Sequence, residues 1–240
     1  MVRRTRAAMQ ETRALLLATA RQMFSEQGFA HASMDDLTAR AGLTRGALYH
    51  HFGDKKGLLA AVVEQLDAEM DERLRAITET ADNALDGFRQ RCHAYLEMAL
   101  EPEIQRIVLR DARAVLGGGS PEAQRYCIES LRQLIDNLVL QGVFVNAHAQ
   151  ALAALIYGSL AEAAVWIAEA DDGNARLAQA GKAFDLLLLG VLKRPTDSTE
   201  RECARQFRPV GSPVPLRAVP LPDYPLTSGR AGLVLLKVFR

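Results

Sequence analysis

The densest run of groups able to do chemistry lies between Ser33 and Lys55. Arg45 can donate two parallel hydrogen bonds to a flat acceptor edge such as that of guanine, or one to a phosphate. Tyr49 and His50 can each donate to a phosphate oxygen. Gly46 and Ala47 carry almost no side chain, so the backbone beside Arg45 can approach a ligand closely. Lys55 falls at the start of an expected helix, an end that already favours anions. His50 and His51 make no metal pair, because adjacent residues on a helix do not face one another. These types and spacings fit the binding of a polyanion. Catalysis has no comparable set: the chain holds no Glu-x-x-His pair for a di-metal carboxylate site, and no Ser/His/Asp arrangement or glycine-rich phosphate loop is evident. Neither a catalytic residue, a metal site nor a cofactor is expected.

The elements that must position these groups are legible around them. Ser33 caps a short helix that ends near Ala41, with Asp36 three residues after the cap. Gly42 supplies a turn whose backbone conformation is costly for other residues. Thr44 then caps a second helix, Arg45–Phe52. Leu37, Ala41, Leu43, Leu48 and Phe52 fall where the two helices pack on each other and on a first helix over 8–27. That first helix has the apolar stripe Leu16, Ala20, Met23 and Phe24, and Gly28 stops it. This is a helix-turn-helix arrangement, whose second helix enters the major groove of DNA. Six more helices are expected at Lys55–Thr80, 83–100, 102–115, 121–141, 146–170 and 174–193. The fold class is therefore all-α, with about nine helices. The expected division is a three-helix domain over 1–54, a helical bundle over 55–194 and an irregular proline-rich tail over 195–240. The tail holds seven of the nine prolines, which favours extended backbone.

The stretch 16–59 resembles the DNA-binding domain of the TetR (tetracycline-repressor) family. Its ordered features are Ala20, Phe24, Gly28-Phe29, Ser33-Met34, Leu37, Ala41-Gly42-Leu43-Thr44, Gly46, Leu48-Tyr49, Phe52, Lys55 and Leu58-Leu59. One departure is Thr38, where the family usually has alanine; a threonine methyl can occupy that site. The resemblance implies an all-helical homodimer that binds a palindromic operator through its first three helices. The fourth helix leads to a larger domain that binds a small molecule, and the last two helices form the dimer interface. Ligand then changes the separation of the recognition helices and releases the DNA. The implied DNA-binding set is Ser33, Met34, Thr44, Arg45, Gly46, Ala47, Tyr49, His50, His51 and Lys55. The arm residues Arg3, Arg4 and Arg6 add backbone or minor-groove contacts. The reading is a one-component, ligand-responsive transcriptional repressor with a small-molecule effector. The alternative is a helical ligand-binding or assembly module without DNA binding, against which Arg45, Tyr49 and Lys55 argue.

The second half is less specific. The eighth helix has an apolar face and a small-residue face, and the ninth is apolar around more than one side at Leu186–Leu189. Ala154, Gly158, Ala161, Phe184, Leu187, Leu188 and Val191 are expected at a dimer seam shared with core packing. Ligand-pocket candidates are Cys92, His93, Tyr95, Met98, Arg113, Tyr126, Tyr157, Glu162 and Trp166, polar or adaptable groups among core residues.

The formal net charge is zero, which taken alone opposes nucleic-acid binding. It is a cancellation between unlike segments: +4 over 1–60, −7 over 61–194 and +3 over 195–240. Cys92, Cys127 and Cys203 are odd in number and widely spaced, so neither a disulfide framework nor a zinc knuckle is expected. Reduced thiols and the lack of a signal-type start point to the cytoplasm. The longest apolar run, 151–161, is broken by Glu162, so no membrane span is expected.

Overall fold

The computed structural model describes residues 6–193, and every regular element among them is helical. In chain order these are α1 (Arg6–His31), α2 (Met34–Arg40), α3 (Arg45–Phe52), α4 (Lys55–Thr80) and α5 (Ala84–Met98). There follows α6, a π-helical stretch Ile104–Ala112 that runs on into the α-helical turn Arg113–Leu116. Then come α7 (Pro121–Leu140), α8 (Ala149–Ala168) and α9 (Gly173–Val191). Arg3, Arg4, Cys203 and the expected tail over 195–240 lie outside the described residues.

The expected caps are in place. Ser33, Thr44 and Asp54 each accept backbone N–H groups at the starts of α2, α3 and α4, which satisfies donors that helix geometry leaves orphaned. Two boundaries differ from expectation by more than two residues. Gly28 ends the regular run of α1 as expected, with φ 79°, but a further helical turn to His31 follows it. The helix α8 starts at Ala149, because the His148 ring nitrogen accepts from the Ala151 N–H at 3.3 Å and acts as the cap. The π register of α6 leaves no mark in the apolar spacing.

Two main cores organise the bundle. The first holds Leu16, Ala20, Met23 and Phe24 of α1, Leu37 of α2 and Leu48 of α3. It is closed by Leu58, Leu59, Val62, Val63 and Leu66 of α4 and by Ile107 and Ala112 of α6. The first three helices thus share their core with the next segment of chain. The second core joins Phe88, Cys92 and Leu96 of α5 to Leu131, Ile135 and Leu138 of α7, to α8 and to α9. A smaller cluster of Met70, Leu74, Met98 and Ile104 lies along α4, α5 and α6.

Phe184 and Leu188 are buried in the second core, which is the core packing expected of them, and they leave little surface of their own for a seam. The residues that α8 and α9 expose are Leu155 (72%), Leu186 (70%), Leu187 (64%) and Leu189 (61%). Ala154 and Gly158 are exposed, and Ala161 and Val191 are half-buried. By length and mean hydropathy α8 is one described helix that could cross a bilayer. The sequence expectation rested on Glu162, but the helix runs past that residue by nearly two turns. Here α8 packs against α5, α6, α7 and α9.

Candidate functional site

The surface of α3 is set by its anchor. Leu48 is fully buried, which turns the opposite face outward. Arg45, Gly46 and His50 are exposed there, Tyr49 is 51% exposed, and Ala47 and His51 are half-buried. The Thr44 hydroxyl accepts the Ala47 N–H at 3.3 Å. Ser33 Oγ accepts from Asp35 N at 3.1 Å and Asp36 N at 3.4 Å. Met34 packs against the first core, and Arg6 is exposed at the start of α1. Thr38 is buried, and its hydroxyl donates to the carbonyls of Met34 (3.1 Å) and Asp35 (3.0 Å). The hydroxyl is thereby satisfied within its own helix, which is why threonine fits at that position.

Two expected DNA contacts are already engaged. Arg45 forks onto the Asp35 carboxylate of α2 through two hydrogen bonds. Lys55 Nζ lies 3.5 Å from the Ala30 carbonyl oxygen and 4.4 Å from the centre of the Phe29 ring, and burial pushes its pKa down. It closes over the end of α1, while the neighbouring Lys56 is exposed.

The end of α1 is also gripped by α6, which the sequence reading missed. Arg106 donates to the Gln27 carbonyl at 2.8 Å. Its guanidinium passes so close to Gly28 that a Cβ there would meet Nη2 at 2.3 Å. Gly28 is needed twice, for its positive φ and for this approach. The Asp111 carboxylate accepts the Phe29 N–H at 2.6 Å. About two turns back, Arg21 donates to both oxygens of Glu103 at 2.8 Å each and to Glu69 at 2.6 Å. These charge-assisted bonds span α1, α4 and the approach to α6, and hold Arg21 firmly protonated.

A cavity of about 440 Å³ lies in the other half of the bundle. Met70 and Leu74 of α4, Ile104, Val108 and Leu109 of α6 and Leu131 of α7 supply apolar wall. Of the expected pocket residues, Cys92, Tyr95, Arg113, Tyr157 and Glu162 line it. The other four do not. His93 points to α9, where Nε2 is 2.8 Å from Asp185 and the ring meets Phe184 edge-on. Met98 is buried with Met70, Leu74 and Ile104. Tyr126 is exposed and donates to Asp71 at 3.2 Å. Trp166 is exposed under the Arg176 guanidinium. Helical phase decides each case, and a list of polar residue types carries no phase.

The cavity also takes in Asp67, Asp71, Arg91, Gln124 and Cys127, which residue type alone did not single out. A signal existed: Asp67 and Asp71 flank the α4 stripe Val63, Leu66, Met70 and Leu74 one turn apart. Arg91 is buried and donates to Asp71 at 3.1 Å and Ser130 at 3.3 Å. Arg113 donates to Glu162 at 2.9 Å. Burial pushes the Cys92 thiol up to about 12 and the Cys127 thiol to about 11, so both are neutral and poor nucleophiles at neutral pH. Burial, with a smaller contribution from Glu64, pushes the Asp67 carboxyl up to about 6. Among the described residues no cluster of His, Cys, Asp and Glu has the arrangement of a metal site.

Comparison with known proteins covers both halves. Residues 16–62 match the model of bacterial regulatory proteins of the tetR family. Residues 85–191 match the tetracyclin repressor-like C-terminal domain. A solved TetR-family transcriptional regulator of Pectobacterium atrosepticum is 74% identical, covers 80% of this chain and 100% of its own, and superposes with a TM-score of 0.76. The resorcinol complex of RolR shares the fold, at 21% identity and a TM-score of 0.60 over 85% of this chain and 98% of its own. Among curated proteins, the HTH-type transcriptional regulator TtgR of Pseudomonas putida is 41% identical over 76 residues, 32% of this chain and 36% of its own. The chain spans between about a third and a half of the length of such curated relatives. Matched family models over both halves, on a helix-turn-helix head and a hollow helical body, place the chain in the TetR family of bacterial regulatory proteins.

Proposed function

We propose that this chain is a one-component transcriptional repressor that binds a palindromic DNA operator as a cytoplasmic homodimer and releases it when a small molecule enters the body. Its functional parts are a head over 1–54, a sensing and dimerising body over 55–194 and a tail over 195–240. The observation that carries this reading is the double duty of α6. Ile104, Val108, Leu109 and Arg113 form cavity wall, while Arg106 and Asp111 of the same helix hold the end of α1. A ligand that prefers one placement of α6 then biases the head through direct bonds, and operator affinity changes by that difference in binding energy.

In the bound state Tyr49, His50, Thr44 and the exposed Lys56 face phosphates, and Arg45 reaches a base edge or phosphate. The Asp35–Arg45 pair does not oppose this. Both side chains are more than half exposed, and ion pairs in water are weak and easily exchanged. The exposed leucines of α8 and α9 supply the dimer face, which spaces two recognition helices about 34–36 Å apart for successive half-sites. The acidic body keeps non-specific DNA contact low.

The test is a mobility shift of the full chain on DNA from upstream of its own gene, with a random-sequence selection alongside. The expected result is a complex of two chains on an inverted repeat, with affinity falling steeply as salt rises. No shift at moderate salt, together with no enriched repeat, overturns the reading in favour of a ligand-binding module without DNA.

A further inference from the structure

One carboxylate of the cavity wall stands apart from the ion pairs around it. Asp71 is paired with Arg91 and, at 3.6 Å, with Arg75 outside the cavity, and Glu162 is paired with Arg113. Asp67 lines the same cavity, and among the described residues its carboxylate has no hydrogen-bond or ion-pair partner. Tyr95 and Tyr157 line the cavity too, and their hydroxyls likewise have none among the described residues. The field of Asp67 reaches both phenols, since it helps push their pKa values up.

A half-buried carboxylate without a partner loses part of its hydration when a ligand covers it, and a neutral donor would satisfy one lone pair and leave the charge. A cation offsets that charge directly. Aromatic rings beside it add attraction to their electron-rich faces. The remaining wall is mostly apolar, and the volume suits a compact organic molecule. We propose that the cavity takes a compact organic monocation, its positive centre against Asp67 and its apolar part against Leu109, Leu131 and the rings of Tyr95 and Tyr157. This rests on reading the cavity as the effector site.

Benzyltrimethylammonium and neopentylbenzene serve as probes, since they share one shape and differ by one charge. Titration calorimetry on the full chain is expected to show the cation binding at least about ten-fold tighter than its uncharged isostere. Asp67→Asn is expected to abolish that preference while leaving the isostere's affinity within about two-fold and the far-ultraviolet spectrum unchanged. Equal or tighter binding of the isostere, binding of neither probe, or a preference that survives in Asp67→Asn overturns the proposal. Should Asp67→Asn fail to fold, Asp67→Glu decides: it keeps the charge and must keep the preference. The DNA shift is read separately. A chain that binds the cation but shifts no DNA refutes the repressor reading and leaves the cation site standing. A chain that shifts DNA without any charge preference refutes the cation site alone.

Discussion

The head and the body are both helical, yet they use buried space in opposite ways. In the head Leu16, Met23, Phe24, Leu37 and Leu48 are completely or almost completely inaccessible, and the one buried polar side chain among its described residues, Thr38, is satisfied inside its own helix. In the body the packing leaves about 440 Å³ of open space and, among the described residues, leaves Asp67 without a partner. Close packing suits a part that must present α3 in one geometry. A cavity and an unpaired charge store instability that a ligand can relieve. The difference teaches where rigidity and responsiveness lie in one short chain.

The sharpest way to break the comparison is to truncate one side chain on each side of it. Leu48→Ala is expected to cost about 2–5 kcal/mol in urea unfolding, because the head cannot refill the space. Leu109→Ala, at the cavity wall, should cost less than half as much, since part of its surface already faces open volume. Equal costs would refute the contrast.

Next in size is Asp67. Its folded pKa is about 6 against an ordinary 3.8, so the folded state binds more protons than the unfolded state between those values. Stability from this group is therefore fully present below about pH 4 and is lost as pH rises through about 6. Asp67→Asn should raise the stability of the empty protein by about 1–3 kcal/mol at pH 7.5. The gain should vanish near pH 4, as read by denaturation at both pH values.

A smaller effect is expected where the two halves meet. Asp111→Asn weakens the acceptor for the Phe29 N–H. It should cost about 1 kcal/mol of stability, and it should blunt effector-driven release of DNA more than it weakens operator binding itself. Titrating the operator complex with effector measures both. An unchanged release midpoint would remove α6 from the path between cavity and head.

The smallest effects are on the DNA face. Tyr49→Phe should weaken operator binding by about 1 kcal/mol and leave the salt dependence alone, because the lost bond is neutral. Lys56→Ala should weaken it similarly and lower the salt slope by about one. Affinity measured at several salt concentrations separates the two.

Much of the head was legible because each of its signals acts locally. Ser33, Thr44 and Asp54 accept N–H groups two or three residues away, so sequence order alone reveals them. The partners of Arg45 and Lys55 were not legible, since they are set by how α2 and α1 lie beside those residues. The cavity was half legible. Cys92 and Tyr95, three apart on α5, were expected and do line it, whereas His93 between them turns to Asp185. Phe184 and Leu188 were expected to serve core and seam together and lie in the core, because spacing gives an apolar stripe without saying which neighbour covers it.

The sequence by itself determined the helices, their caps, the turn at Gly42 and the basic-head, acidic-body division, all of which depend on residues within a few positions of one another. Tertiary structure alone decided that α6 grips α1 at Gln27 and Phe29, that four other charges of the cavity wall pair off and that Asp67 does not among the described residues. Those facts depend on side chains far apart in sequence meeting at hydrogen-bond distance, and helical phase and packing set that distance.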